Sequence, residues 1–452
     1  MAARVCASRL RDTRRGWLAG KPRLIRRPAD LFFARRELSY ASVFAVMPSS
    51  RAVPCALGRA IGLAAAAGWI GVLLLAAASA SCGHRYFLTG TEVTPTPNPS
   101  ASASASTTPT ATPTAGLVFA TNNGDGKLSV FSRNLTSGLL TLIGTAAAGA
   151  APGPTGLALS SSASFLYVAN AGDHTVREFS VDKASGALAA IGSVSDGTIS
   201  APQQIAIDPS NSFLYVTDGV GGSISQYTIA AGGTLNPNGS FTGSGLTQPT
   251  GIAVAPAGGA VYIADFGAGV VMSFSIQPGG ALVLVSSVPS LGPSRGLGEP
   301  RGIAVDPTGA FVYATDIAGG VVSVFAVAAG NTLVFSGSYL TAAVTNQPFD
   351  LALANTPAGL FLYTANDGTN TVSDFIVTSG LLSLQGGVSG LSTPQGIAAD
   401  PNGSFVYVAN SSSGQILGYS VGIGGALSSI GAFNTENPAN PASAPAFLAI
   451  TQ

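Results

Sequence analysis

The stretch Gly396–Tyr419, GIAADPNGSFVYVANSSSGQILGY, decides the fold because the chain writes it repeatedly. It returns as GIAVDPTGAFVYATDIAGGVVSVF from Gly302 and as GIAVAPAGGAVYIADFGAGVVMSF from Gly251, with looser copies from Gly156, Gln204 and Asp350. Each copy reads as strand A (GIAVD), strand B (FVYVAN), strand C (VSVF) and a weaker strand D after a Gly-rich turn (GALSSIG), short apolar runs between turn residues. From Gly156 to Phe447 the repeat averages about 48.5 residues, the length of four short strands and their turns.

The register is marked by prolines at Pro154, Pro202, Pro249, Pro300, Pro348, Pro394 and Pro445. Alanine follows at a fixed place in strand A (Ala158, Ala206, Ala253, Ala304, Ala352, Ala398, Ala449), as small residues must where strands crowd an axis. Asn or Asp ends every strand B, from Asn122 to Asn410. A ligand site occurs once, whereas a structural device occurs in every repeat, so these residues read as turn caps. The first unit, Gly116–Pro152, has no strand A, and the last, Ala446–Gln452, is a strand A alone. The two halves complete one blade and leave no open sheet edge. The expectation is an all-β, monomeric, seven-bladed β-propeller over 116–452 with shared-blade closure.

Before the repeats lie two other segments. Residues 1–82 hold a basic extension and an export segment, in which Ile61–Ala80 is uncharged and Ala78-Ser79-Ala80-Ser81-Cys82 resembles a processing site with a lipidation cysteine. Met47 would give a signal of ordinary length. Residues 83–115 are a Pro/Ser/Thr/Ala-rich linker. The expected location is the periplasm or cell surface, lipid-anchored at Cys82, with secretion or a retained membrane anchor as alternatives. Eleven of the twenty Lys and Arg fall within residues 1–46. From Gly116 onward six basic residues face sixteen acidic ones, which excludes nucleic acid as a partner because backbone phosphate needs clustered cations. Cys6, Cys55 and Cys82 all precede the repeats, so no disulfide or cysteine metal site is expected in them. No cofactor and no metal are expected.

YVAN at Tyr167–Asn170 and at Tyr407–Asn410, with the VSVF-like and GxL elements that follow, resembles the YVTN-type repeats of the seven-bladed lactonase-like propeller family. GIAVDPTGAFVY also resembles NHL repeats. The resemblance covers Gly116–Gln452 and implies a propeller with either 6-phosphogluconolactonase-type activity or a non-enzymatic envelope role. It implies a Pro-Arg-His step in the enzymes; here Gly302 follows Pro300-Arg301.

In a propeller the B–C and D–A loops share one face, where ligands bind near the axis. Residues there that break the repeat are the candidates. His174 could act as a general base, and Arg301 and Glu299 are the other catalytic candidates. Arg295, Arg301 and Asp350 could hold an anionic or sugar-acid ligand. With one histidine and scattered carboxylates, the residues favour a binding scaffold for a protein or glycan on the loop-rich face. A lactonase-like hydrolase acting on a sugar lactone is the alternative.

Overall fold

The computed structural model describes residues 115–451, apart from 150, 152, 295–297 and 437–438. The export segment, Cys82, the linker up to residue 114 and Arg295 therefore lie outside the described residues. Seven four-stranded antiparallel sheets are arranged as blades, each with strand A innermost. Blade 7 is representative, with strands Pro394–Ala399, Phe405–Asn410, Gln415–Val421 and Leu427–Asn434.

Burial explains the repeated sequence. Strand B of blade 7 is buried at all six positions, as is Ala260–Asp265 of blade 4, because each lies between two neighbouring sheets. A strand covered on both faces must be apolar throughout, not alternating. Strand D is the outer strand, and in blade 7 it is half-buried or exposed throughout Leu427–Asn434. The core is the set of layers between blades: Phe361, Tyr363 and Ala365 of blade 6 pack with Ile397, Val406, Val408 and Tyr419 of blade 7.

Closure follows the expected plan. In blade 1 the strand order is Pro445–Ile450, Gly116–Asn122, Lys127–Arg133, Leu140–Ala147. Ile450, Ala449 and Leu448 pair with Val118, Phe119 and Ala120. Beyond the ladder, the Leu117 N–H donates to Thr451 Oγ1 at 2.8 Å, and the Thr451 N–H donates to the Leu117 carbonyl at 2.9 Å. A buried ion pair braces the same seam: Arg133 Nη1 meets Asp400 Oδ2 of blade 7 at 3.1 Å, and Nη2 donates to the Thr451 carbonyl at 3.1 Å. Both side chains are 1% exposed.

The F-x-Y pattern of strand B has a physical cause. Tyr407 Oη donates to the Gly138 carbonyl of blade 1 at 2.6 Å, and Tyr363 Oη does the same to Gly425 of blade 7 at 2.7 Å. Tyr167 and Tyr215 reach Gly233 and Gly280, each at 2.9 Å. The phenylalanine two residues earlier lies over the same glycine. A Cβ at Gly138 would meet Phe405 at 2.4 Å, and φ there is +71°, so glycine is required twice over. Blades 2, 3, 6 and 7 thus clamp the C–D turn of the next through this tyrosine. Blade 1 has Phe119 in its place, and the Tyr313 hydroxyl of blade 5 finds no partner among the described residues.

Most residues that end strand B are caps, as the repeat implies; Asn122 and Asn366 instead donate to strand C hydroxyls, Ser129 and Ser373, each at 2.8 Å. The Asp218 carboxylate accepts N–H groups from Ser200 and Ala201 of the D–A loop, and from Val220 and Gly221 of the B–C turn. Asp265 serves Thr247, Gln248 and Ala268 in the same way. Both loops of the candidate face are fixed by these carboxylates.

Candidate active site at the channel mouth

The two residues after each repeat proline open strand A and line the mouth of the central channel. At the second of them four blades have Gly, while Gln204, Asp350 and Phe447 stand in the others. Each of these three faces a glycine on the preceding strand A. A Cβ at Gly156 would lie 2.7 Å from Gln204 Cα, one at Gly302 2.8 Å from Asp350 Cα, and one at Gly396 2.9 Å from Phe447 Cα. Glycine is needed where the backbone of the next strand A approaches this closely, as it also does at Gly251, whose Cβ would lie 2.1 Å from the Arg301 carbonyl oxygen. A histidine at position 302 would collide with Asp350.

Gln204, Asp350 and Phe447 line both a small cavity at the mouth and one of about 100 Å³ further along strand A, whose walls include Leu157, Ile252, Ile303 and Leu448. A larger hollow of about 720 Å³ lies on the outer rim beside Lys127 and Glu436. There the ammonium is already paired with Glu436 and lies 3.5 Å from Asp125. The mouth is narrow, about 10 Å³, but its guanidinium has no carboxylate within 4.0 Å among the described residues.

Arg301 and Asp350, one repeat apart in sequence, are neighbours here. The guanidinium carbon of Arg301 stands 3.5 Å above the Phe349 ring centroid, a cation–π contact. Phe349 and Phe447 face each other across the mouth with centroids 6.4 Å apart. Among the described residues Arg301 forms no ion pair within 4.0 Å, which leaves its N–H donors unclaimed by a carboxylate. Burial pushes Arg301 down to about 10, partly offset by the charges of Asp350 and Asp367. Asp350 is pushed up to about 7, chiefly by burial, against the opposing pull of the Leu351 and Ile397 N–H groups and of Arg301. The Ile397 N–H donates to Asp350 Oδ2 at 3.3 Å, so the carboxyl of blade 6 reaches across to blade 7. This is a carboxyl poised near neutrality beside a guanidinium, a pairing suited to proton transfer and anion stabilisation.

The other sequence candidates are placed elsewhere. His174 is exposed in the B–C turn of blade 2 with φ +58° and is not among the residues lining the mouth. Glu299 precedes strand A of blade 5, where its N–H donates to the Asp316 cap at 3.1 Å. Phe349, Phe447 and Gln204 were not among the candidates. Superposing the repeats at the residue before strand A turns apolar would have marked Gln204 and Phe447 beside Asp350, as the three departures from glycine.

A closed seven-bladed propeller with an acid and a guanidinium at its channel mouth is the class of protein these observations define. The chain matches the family described as Lactonase, 7-bladed beta-propeller, over residues 120–439, and belongs to it. Among solved structures it is similar to a candidate 6-phosphogluconolactonase of Bacteroides fragilis (21% identity, TM-score 0.64, 76% of this chain and 100% of that one). It is also similar to the periplasmic gluconolactonase PpgL of Pseudomonas aeruginosa (20% identity, TM-score 0.63, 75% and 99%). No curated protein sequence matches it. Membership of the lactonase family overturns the expectation of a non-catalytic scaffold for a protein or glycan, and favours the alternative, a lactone hydrolase.

Proposed function

We propose that the propeller hydrolyses a sugar lactone at the channel mouth, with Asp350 as general base and Arg301 as the oxyanion donor. The observation that carries this reading is the Asp350 carboxyl, held near pKa 7 beside a guanidinium with free N–H groups. Asp350 takes a proton from water as its oxygen bonds to the lactone carbonyl carbon. The carbonyl oxygen becomes an oxyanion, which the Arg301 N–H groups stabilise. When the oxyanion collapses, the ring C–O bond breaks and the leaving alkoxide takes the proton back from Asp350. The product is the open hydroxy acid, with no net proton held by the protein. His174 and Glu299 receive no role in this scheme, and Arg295 is kept as a ligand contact from its place in the sequence.

The test is hydrolysis of glucono-δ-lactone by the full chain, corrected for the spontaneous rate. A base works deprotonated, so kcat/KM is expected to rise as pH passes upward through about 7. Asp350→Asn is expected to lower kcat by about 10²–10⁴-fold and remove that rise. Arg301→Met is expected to lower kcat by about 10²–10³-fold. Wild-type turnover no faster than the background, or an Asp350→Asn variant of full activity, would refute the reading.

Export and a lipid anchor at Cys82 accompany this proposal, supported by the Ile61–Ala80 run and the small residues before the cysteine. Among the described residues no helix is long and apolar enough to cross a membrane, and Ile61–Ala80 lies outside them. Labelling cells with a tagged fatty acid is expected to mark the wild type and leave Cys82→Ala unmarked. An unlabelled wild type recovered from the medium would indicate plain secretion.

A further inference from the structure

The charge on the face around the channel mouth bears on which lactone enters. Ten of the sixteen carboxylates from Gly116 onward lie on the B–C turns, the D–A loops or the mouth itself, against four cations: Lys127, Arg177, Arg295 and Arg301. Arg295 is included from its sequence position alone. Lys127 is engaged by Glu436 and Asp125, and Arg177 Nη2 by Asp173 Oδ2 at 2.9 Å. Arg301 is the one cation among the described residues lining the mouth, and it already feels Asp350 and Asp367. Besides Asp350, the remaining lining carries no charge: Phe349, Phe447, Gln203, Gln204, Thr250 and Gly302.

We infer that the site takes an uncharged sugar lactone and rejects one that carries a phosphate; this rests on the lactone-hydrolase reading above. A phosphate monoester brings about −1.5 to −2 charges at neutral pH and is bound where cations or backbone N–H groups converge on it. This face opposes it with the carboxylates that reach solvent, Asp125, Asp173, Asp196, Glu299, Asp367 and Glu436. Its available guanidinium cannot hold a phosphate and an oxyanion at once. A neutral polyhydroxylated ring meets no such field. Its C–H face can pack against Phe447, and its hydroxyls can bond the Gln203 and Gln204 amides. Specificity of this kind comes from repulsion of the competitor as much as from attraction of the substrate.

The experiment compares kcat/KM for glucono-δ-lactone and its 6-phosphate across ionic strength, in the wild type and in Asp367→Asn. The expected result is a preference of at least about ten-fold for the unphosphorylated lactone in dilute buffer. That preference should shrink several-fold at about 0.5 M salt, because exposed charges are screened beyond about 4 Å there. Asp367→Asn should shrink it at low salt, by raising activity on the phosphate ester. Equal or better use of the phosphate ester would overturn the inference while leaving the hydrolase reading intact. A preference indifferent to both salt and Asp367→Asn would overturn the electrostatic basis. Absence of turnover on both lactones would remove the hydrolase reading and this inference together.

Discussion

A chain ending at Ala446 is expected to melt roughly 10 °C or more below the full chain and to aggregate on heating. The deletion takes away the strand that pairs with Val118, Phe119 and Ala120, all 0% exposed in the closed ring. Phe447, Leu448 and Ile450 are themselves half-buried, worth about 3 kcal/mol together at half the value of full burial. Unpairing of strand B and exposure of its two neighbours add to that. About 5 kcal/mol at roughly 2 °C per kcal/mol for a domain of this size gives the stated shift. The free edge of Gly116–Asn122 then offers a template for pairing between chains. Differential scanning calorimetry beside light scattering checks both effects; identical melting of the two chains would mean that the last strand does not close the ring.

The second large effect is expected at Arg133. Arg133→Met leaves the Asp400 carboxylate buried without its counter-ion and the Thr451 carbonyl without its donor, a loss of about 3–5 kcal/mol. The Asp400 side chain also accepts the Phe405 N–H at 2.7 Å through its other oxygen, so it is needed in the A–B turn whatever Arg133 does. Adding Asp400→Asn keeps an acceptor there and removes the stranded charge. The double variant should therefore recover part of the stability that Arg133→Met loses. Thermal melts of the two variants and the wild type decide it: a double variant no more stable than Arg133→Met would show that the ion pair's charge is not what Arg133 supplies.

The architecture was legible because the same packing constraint acts seven times. Strand A reads small where it crowds the axis, strand B reads apolar throughout where sheets cover it twice, and the terminal half-units advertise their own union. Function was written once, and less plainly. Arg301 reads in sequence as part of a charged loop with Arg295 and Glu299. In the folded chain the Glu299 backbone is tied to Asp316, while Arg301 is the first side chain inside the mouth. Its acidic neighbour Asp350 stands a whole repeat away in sequence, a separation that only superposed units reveal. Phe447 comes to the mouth through ring closure, from the far end of the chain. The scaffold expectation failed for the same reason: residues that look scattered along 337 positions converge once the strands stand side by side.

The aromatic clamps between blades have an evolutionary meaning. Strand B carries the hook, Phe and Tyr in five of the seven blades, and the C–D turn carries the glycine eye, so a copied unit of this kind brings one of each. A duplicated or deleted unit therefore leaves hooks and eyes matched around the ring, and blade number can change without redesigning any interface. The partnership runs one way round, a blade fastening the one that follows. The pattern is weakest at two joins: between blades 4 and 5, where Ala260 takes the phenylalanine position and the space around Gly330 is open, and between blades 1 and 2, where Leu117 and Phe119 stand for Phe and Tyr.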